Sequence, residues 1–195
     1  MAFKDSIEVV LFFEGGYVSN PRDPGGETNW GISKRQYPNL DIRNLTRDQA
    51  IGIYENDYWN RCVLGHVVDQ VVATKVLDMV VNMGPGFGIM SLQKAVNKLF
   101  GFNKLVIDGL MGTNTLSAVN SVPPLYTSIF VDLLKAEARK RHTDIGFADP
   151  ELREFMAGWL RRDYWPYRDD GREWPYLPKP GEGWPKTQGG DTNVN

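Results

Sequence analysis

The stretch FKDSIEVVLFFEGGY, residues 3–17, is the key to this chain. Phe3, Ile7, Val10 and Leu11 recur at helical spacing, and Asp5 or Ser6 stands where a short polar side chain can accept from the free N–H groups of a first turn. Residues 3 to 14 are therefore expected to form an amphipathic helix, ended by Gly15-Gly16. Glu14 falls at the carboxyl end of that helix, with Phe12 and Phe13 beside it, where the helix dipole disfavours a negative charge.

Outward from this helix, residues 17 to 30 turn to Asn, Pro, Asp, Gly and Thr, with Asn20-Pro21, Asp23-Pro24 and Gly25-Gly26 as turn signals. A loop or small hairpin is expected, with short β pieces at Tyr17 to Ser19 and Thr28 to Ile32. Thr46-Arg47-Asp48-Gln49 reads as a capping box opening a helix from about 47 to 60, through Ala50, Ile53, Tyr54, Asp57 and Tyr58. Val68 to Met83 is apolar nearly all round and belongs in a core. Gly84-Pro85-Gly86 breaks that helix, and Met90, Leu92, Val96 and Leu99 give the next, which stops at Gly101, so the two should pack as a hairpin. A turn at Asp108-Gly109 and Gly112 precedes a short helix from Thr113 to Val119. Pro123-Pro124 opens a longer helix to about His142, and another runs from Pro150 to about Tyr164. After Trp165 the prolines, glycines and tryptophans exclude a regular helix or a central strand.

The expectation is a mainly α fold with a small β-hairpin or loop region after the first helix and an irregular tail over 166–195. The 195 residues suffice for one domain with a small appendage, and 42% hydrophobic against 24% charged residues lies in the ordinary globular range. A formal net charge of −2 supplies no global positive field, so nucleic acid is not an expected partner. The basic cluster Arg139-Lys140-Arg141 reads as a solvated helix face. Cys62 is the one cysteine, which excludes an intramolecular disulfide and a cysteine metal cage and leaves a small buried hydrophobe. His66 and His142 lack metal-type spacing, so neither a metal nor a cofactor is expected. The first residues do not read as a signal peptide, and the longest apolar runs fall short of the roughly 18 residues of a membrane span. Synthesis in the cytoplasm, without stable membrane association, is the expectation.

Glu14 and Asp23, with eight residues between them, could face each other across a cleft, one on a helix terminus and the other in a turn-rich loop whose amides can solvate an anion. Two such acids are what glycosidic hydrolysis needs, one to protonate the leaving oxygen and one to activate water or stabilise the sugar cation. With 24 acidic residues in the chain, a surface Glu and a turn-capping Asp account for the same spacing.

Glu14-Gly15-Gly16-Tyr17, Asp23-Pro24-Gly25-Gly26-Glu27-Thr28-Asn29 and Gly31-Ile32-Ser33 together resemble the signature of glycoside hydrolase family 108, bacterial and phage peptidoglycan hydrolases. The likeness extends through Tyr58-Trp59 and Asp78 to Gly84, and residues from about Ser91 to Tyr164 resemble a peptidoglycan-binding module. The resemblance implies a lysozyme-like fold with the small β-hairpin or loop region next to the active site, a catalytic lobe over 1–90 and a helical lobe over 91–165 packed with it, and it makes Glu14 the catalytic acid. Related phage lysozymes carry Glu, eight residues, Asp, five residues, Thr. Here Glu14 and Asp23 match, Thr28 falls one position early and Asn29 takes the nominal place. Thr28 is the choice for holding the nucleophilic water, since a hydroxyl both donates and accepts, with a strand or turn role as its alternative. Tyr17 binds the sugar or holds Glu14, or is a core aromatic. Glu27 is the replacement should Asp23 point away. Trp30, Tyr58 and Trp59 offer faces on which pyranose rings stack, though Trp59 suits the core better. The resemblance gives Asn82 an N-acetyl group to bind, and capping the helix end is its other reading. Asp108-Gly109-Leu110-Met111-Gly112 looks like a segment of wall-binding modules.

What the resemblance implies is an N-acetylmuramidase that cleaves the β-1,4 bond between N-acetylmuramic acid and N-acetylglucosamine, works as a monomer and leans toward inversion. Such an enzyme would reach the wall through a holin, as a phage endolysin, or through an export system, as a bacterial effector. A wall-binding protein without catalysis and a chitinase-like glycosidase are the alternatives.

Overall fold

The computed structural model describes residues 2–19, 26–163 and 165. Helices dominate: α1 (Phe3–Glu14), α2 (Arg47–Tyr54), α3 (Gln70–Met83), α4 (Pro85–Phe100), α5 (Thr113–Asn120), α6 (Thr127–Ala148) and α7 (Met156–Asp163). Strands β1 (Val18–Ser19), β2 (Glu27–Asn29) and β3 (Ile32–Ser33) form an antiparallel sheet in the order β1-β2-β3. The fold is thus mainly α and lysozyme-like, with a small sheet following the first helix.

α3 is the spine. Its residues Val72 to Val80 are all buried, and it packs against α1, α4 and α6. Asp69 caps its start by accepting from the N–H groups of Val71 and Val72 at 2.9 and 3.0 Å, and takes a further hydrogen bond from the Thr127 hydroxyl at the head of α6. α4 can approach because Gly88 has no side chain. A Cβ there would stand 2.7 Å from Val80 Cγ1 and 2.8 Å from Val80 Cα. One hydrophobic core runs without interruption from Phe3 on α1 to Ala138 on α6.

Three local readings need revision. α1 is not capped by Asp5 or Ser6: the Ser6 hydroxyl is buried and bonds Thr74 at 2.7 Å, while Gln70 bonds both its hydroxyl and the Ala2 backbone, so Ser6 joins α1 to α3. The capping box of Thr46 and Gln49 forms, but the helix it opens changes at Glu55–Asn60 to a π-helical turn that buries Tyr58 and Trp59. Residues 28 to 32 are not one strand, because a two-residue turn at Trp30-Gly31 separates β2 from β3. The tail over 166–195 lies outside the described residues, among which no helix is long and apolar enough to cross a membrane.

Candidate active site

The turn at Trp30-Gly31 builds the site. Asn29 pairs with Ile32 across it, and both turn residues have positive φ, +52° and +76°, as a type I′ hairpin requires. Glycine accepts this conformation freely, whereas tryptophan does not. Trp30 is held in it from both ends: its indole N–H donates to the Leu45 carbonyl at 3.2 Å, and its own carbonyl accepts from the Tyr54 hydroxyl at 2.9 Å. Asn29, buried behind it, donates its amide to the Ile42 and Leu45 carbonyls at 3.1 and 3.3 Å. The hairpin is thereby tied to the 42–45 loop and to α2.

That anchoring brings the Gly31 backbone against the carboxyl group of Glu14. A Cβ at Gly31 would lie 2.8 Å from Glu14 Cδ and closer still to Oε2 and to the Tyr54 hydroxyl. On the other side, Glu14 Oε1 accepts from Arg162 Nη1 at 2.7 Å, and the Glu14 side chain is 17% exposed. The terminal carboxyl of α1 is therefore gripped between a hairpin and a guanidinium from α7. Burial, and then the nearby Glu14, raise the Tyr54 phenol above its ordinary value; burial raises Tyr58 likewise.

Arg162 is itself buried, with its Nε donating to Asp78 Oδ1 at 2.5 Å and its guanidinium 5.5 Å from the Phe13 ring centre. Lys75, fully buried one turn before Asp78, donates to Asp78 Oδ2 at 3.1 Å and to the Arg162 carbonyl at 3.3 Å. Two carboxylates and two cations thus meet in the interior, which is how buried charge becomes tolerable. Burial opposes ionisation of Asp78, but Arg162 and Lys75 outweigh it and hold its carboxyl below the ordinary range. For Arg162 burial likewise opposes the charge, and Asp78 with Glu14 raises its pKa above the ordinary arginine value.

A second buried chain runs beside this one. His142 Nδ1 lies 2.7 Å from Asp163 Oδ2, its Nε2 is 3.4 Å from the Asn82 amide nitrogen, and its ring stacks on Trp159 at 5.2 Å. In the neutral tautomer that carries its proton on Nδ1, His142 donates to the Asp163 carboxylate, Nε2 accepts from the Asn82 N–H, and the Asn82 carbonyl oxygen is left unused by His142.

Among the expected site residues, Glu14 and Asn82 belong to these two networks. Tyr17 is exposed and donates to Glu27 Oε1 at 3.2 Å, so this pair occupies the outer part of the sheet. Thr28 is half-buried at the centre of the sheet, paired with Val18 and Ser33. Asn29 is buried with its amide committed to backbone carbonyls, Trp30 shapes the hairpin, and Tyr58 packs against Tyr54 in the core. Those three have internal partners on the side of the fold behind Glu14. Asp23 lies outside the described residues. The Asp108–Gly112 turn is knit by Gln93, whose amide bonds Asp108, Leu110 and Thr115, and it borders a separate hollow of about 740 Å³ with Lys104, Thr113 and Ser121.

Arg162 and Asp163 escaped the sequence reading because nothing local marks them: they end a short charged helix 148 residues after Glu14. Lys75 and Asp78 did carry a signal, two opposite charges three residues apart inside an apolar helix, where an ionised group persists only with a partner.

A family model described as glycosyl hydrolase 108 matches residues 7–84. No curated protein sequence matches the chain. Among solved structures, one titled "Structure of Brucella abortus SagA" is similar, with a TM-score of 0.58 and 26% identity over 82% of this chain and 95% of that one. Glu14, the β2–β3 hairpin, Tyr54, Asp78 and Asn82 fall within the stretch that matches glycosyl hydrolase 108, whereas His142, Arg162 and Asp163 come from beyond it.

Proposed function

We propose that this chain is a peptidoglycan hydrolase of the glycoside hydrolase type, an N-acetylmuramidase that cleaves the β-1,4 bond between N-acetylmuramic acid and N-acetylglucosamine. The observation that carries the reading is the setting of Glu14. A carboxyl group at a helix terminus, partly open to solvent, is held on two sides by a rigid hairpin and a buried guanidinium. Geometry fixed this closely is what proton delivery to a glycosidic oxygen requires. In this reading Glu14 protonates the departing sugar oxygen. Asp23 stabilises the developing positive charge or activates water, and Thr28 positions that water. Tyr17 and Glu27 bind glycan at the outer sheet, and the Asn82 carbonyl accepts from an acetamido N–H.

The enzyme acts as a monomer, needs no cofactor and works on the wall after passage through a holin or an export machine. Its first helix is packed into the core, which supports a part in folding for those apolar residues. Purified protein should clear peptidoglycan, releasing fragments with reducing-end muramic acid. Glu14→Gln, which keeps the size and removes the proton, should abolish clearing in a protein that still folds. Full activity in this variant, or fragments ending in glucosamine, an anhydro sugar or free peptide, would overturn the assignment.

A further inference from the structure

We propose that the end of α7 is part of the catalytic apparatus, with Arg162 as the positioning residue that orients Glu14. The inference rests on Glu14 being the acid, and it concerns a segment beyond residues 7–84. A glutamate at a helix end has three rotatable bonds and no backbone constraint on its carboxyl group. In this chain Gly31 bounds one oxygen sterically, which limits where it cannot go, while Arg162 supplies the directional hydrogen bond that says where it stays.

The guanidinium is in turn fixed. Its Nε is bonded to Asp78, its main-chain carbonyl accepts from Lys75, and the Phe13 ring lies beside it. Asp78 and Lys75 sit on the most buried helix of the molecule, so the position of Glu14 is referred, through one planar fork, to the rigid core. A lysine at 162 has the charge but not the planar fork, so it cannot hold both carboxylates in that fixed geometry. The next residue, Asp163, holds His142 against Asn82, so consecutive residues of α7 steady two residues of the proposed site.

The alternative is that Arg162 only fastens α7 to α1 and α3. Steady-state kinetics on peptidoglycan and melting curves separate the two, using the full chain with Arg162→Lys, Arg162→Met and Arg162→Gln. Asp78 keeps Lys75 as its partner in all three, and Arg162→Gln keeps a hydrogen-bond donor at this position, so a folded protein without the guanidinium can be assayed even if the Met variant does not fold. For a positioning role, kcat falls about 10- to 100-fold with KM within about threefold, since a misdirected group loses rate rather than binding. Arg162→Lys recovers only part of that loss. A folded Arg162→Met, Arg162→Gln or Arg162→Lys protein with wild-type kcat overturns the proposal. Loss of activity in Glu14→Gln together with that result would discard the role of Arg162 alone, and full activity in Glu14→Gln would discard both.

Discussion

Replacing Gly31 by alanine tests the grip on Glu14 most directly. The added methyl would meet Glu14 Cδ at 2.8 Å, with Oε2 and the Tyr54 hydroxyl nearer. Ordinary contact begins at about 3.5 Å, so these groups must retreat by about 1 Å. Tyr54 has little room, being 1% exposed and bonded to the Trp30 carbonyl, so the movement falls mainly on the Glu14 side chain. A displacement of about 1 Å in a reacting group lowers the rate by on the order of 100-fold. The backbone at φ +76° adds about 1 kcal/mol of instability for any residue with a Cβ. Gly26→Ala supplies the control. It has a similar φ of +73°, but among the described residues its Cβ would find only Lys34 Cβ at an ordinary 3.6 Å. Both variants should lose similar stability through the backbone, with a further loss at Gly31 from crowding Tyr54, and only Gly31→Ala should lose most of its activity. Turbidity clearing of peptidoglycan and thermal melts give the two readings. If Gly31→Ala clears the wall as fast as Gly26→Ala, Glu14 is not held where the reaction needs it, and the reasoning about the site fails.

The remaining predictions concern charge and burial. Asp78→Asn should destabilise the protein by about 3–5 kcal/mol near neutral pH, because it strips a buried carboxylate from Lys75 and Arg162. The wild-type carboxyl is held below its ordinary value, so the unfolded chain takes up that proton first. The advantage of wild type is therefore fully present above about pH 4. It should shrink as pH falls through the lower folded value, and denaturant titrations at pH 7 and pH 3 check it. A constant difference between the two pH values would show that the ion pair is not what stabilises. Burial raises the Cys62 thiol, which is 4% exposed, so at pH 8 it should react with a thiol reagent only at the rate of unfolding. Fast labelling of the native protein would contradict its place in the core.

The short-range signals in the chain were legible because short-range physics decides them. The helix ending at Glu14, the capping box at Thr46 and Gln49 and the hairpin of α3 and α4 across Gly84-Pro85 all follow from periodicity and turn chemistry, and all form. The π-helical turn at Glu55–Asn60 did not announce itself, since its residues carry the same spacing as an α-helix and tertiary packing of Tyr58 and Trp59 selects the wider turn. Aromatic and polar residues near a motif were ambiguous for the same reason: Asn29, Trp30 and Tyr58 have side chains suited to sugar, but the fold gives them internal partners.

By itself, then, the sequence determined that the chain is helical, where most helices stop, and that Glu14 would stand at the end of one of them. Only the tertiary structure decided what Glu14 touches. Its partners come from the Trp30-Gly31 turn and from Arg162 on the far side of the chain, and the latter is held by Asp78 and Lys75 inside α3. Helix ends are set by neighbours a few residues away. A buried ion network instead depends on four side chains from three helices leaving water together, and no single segment carries that information.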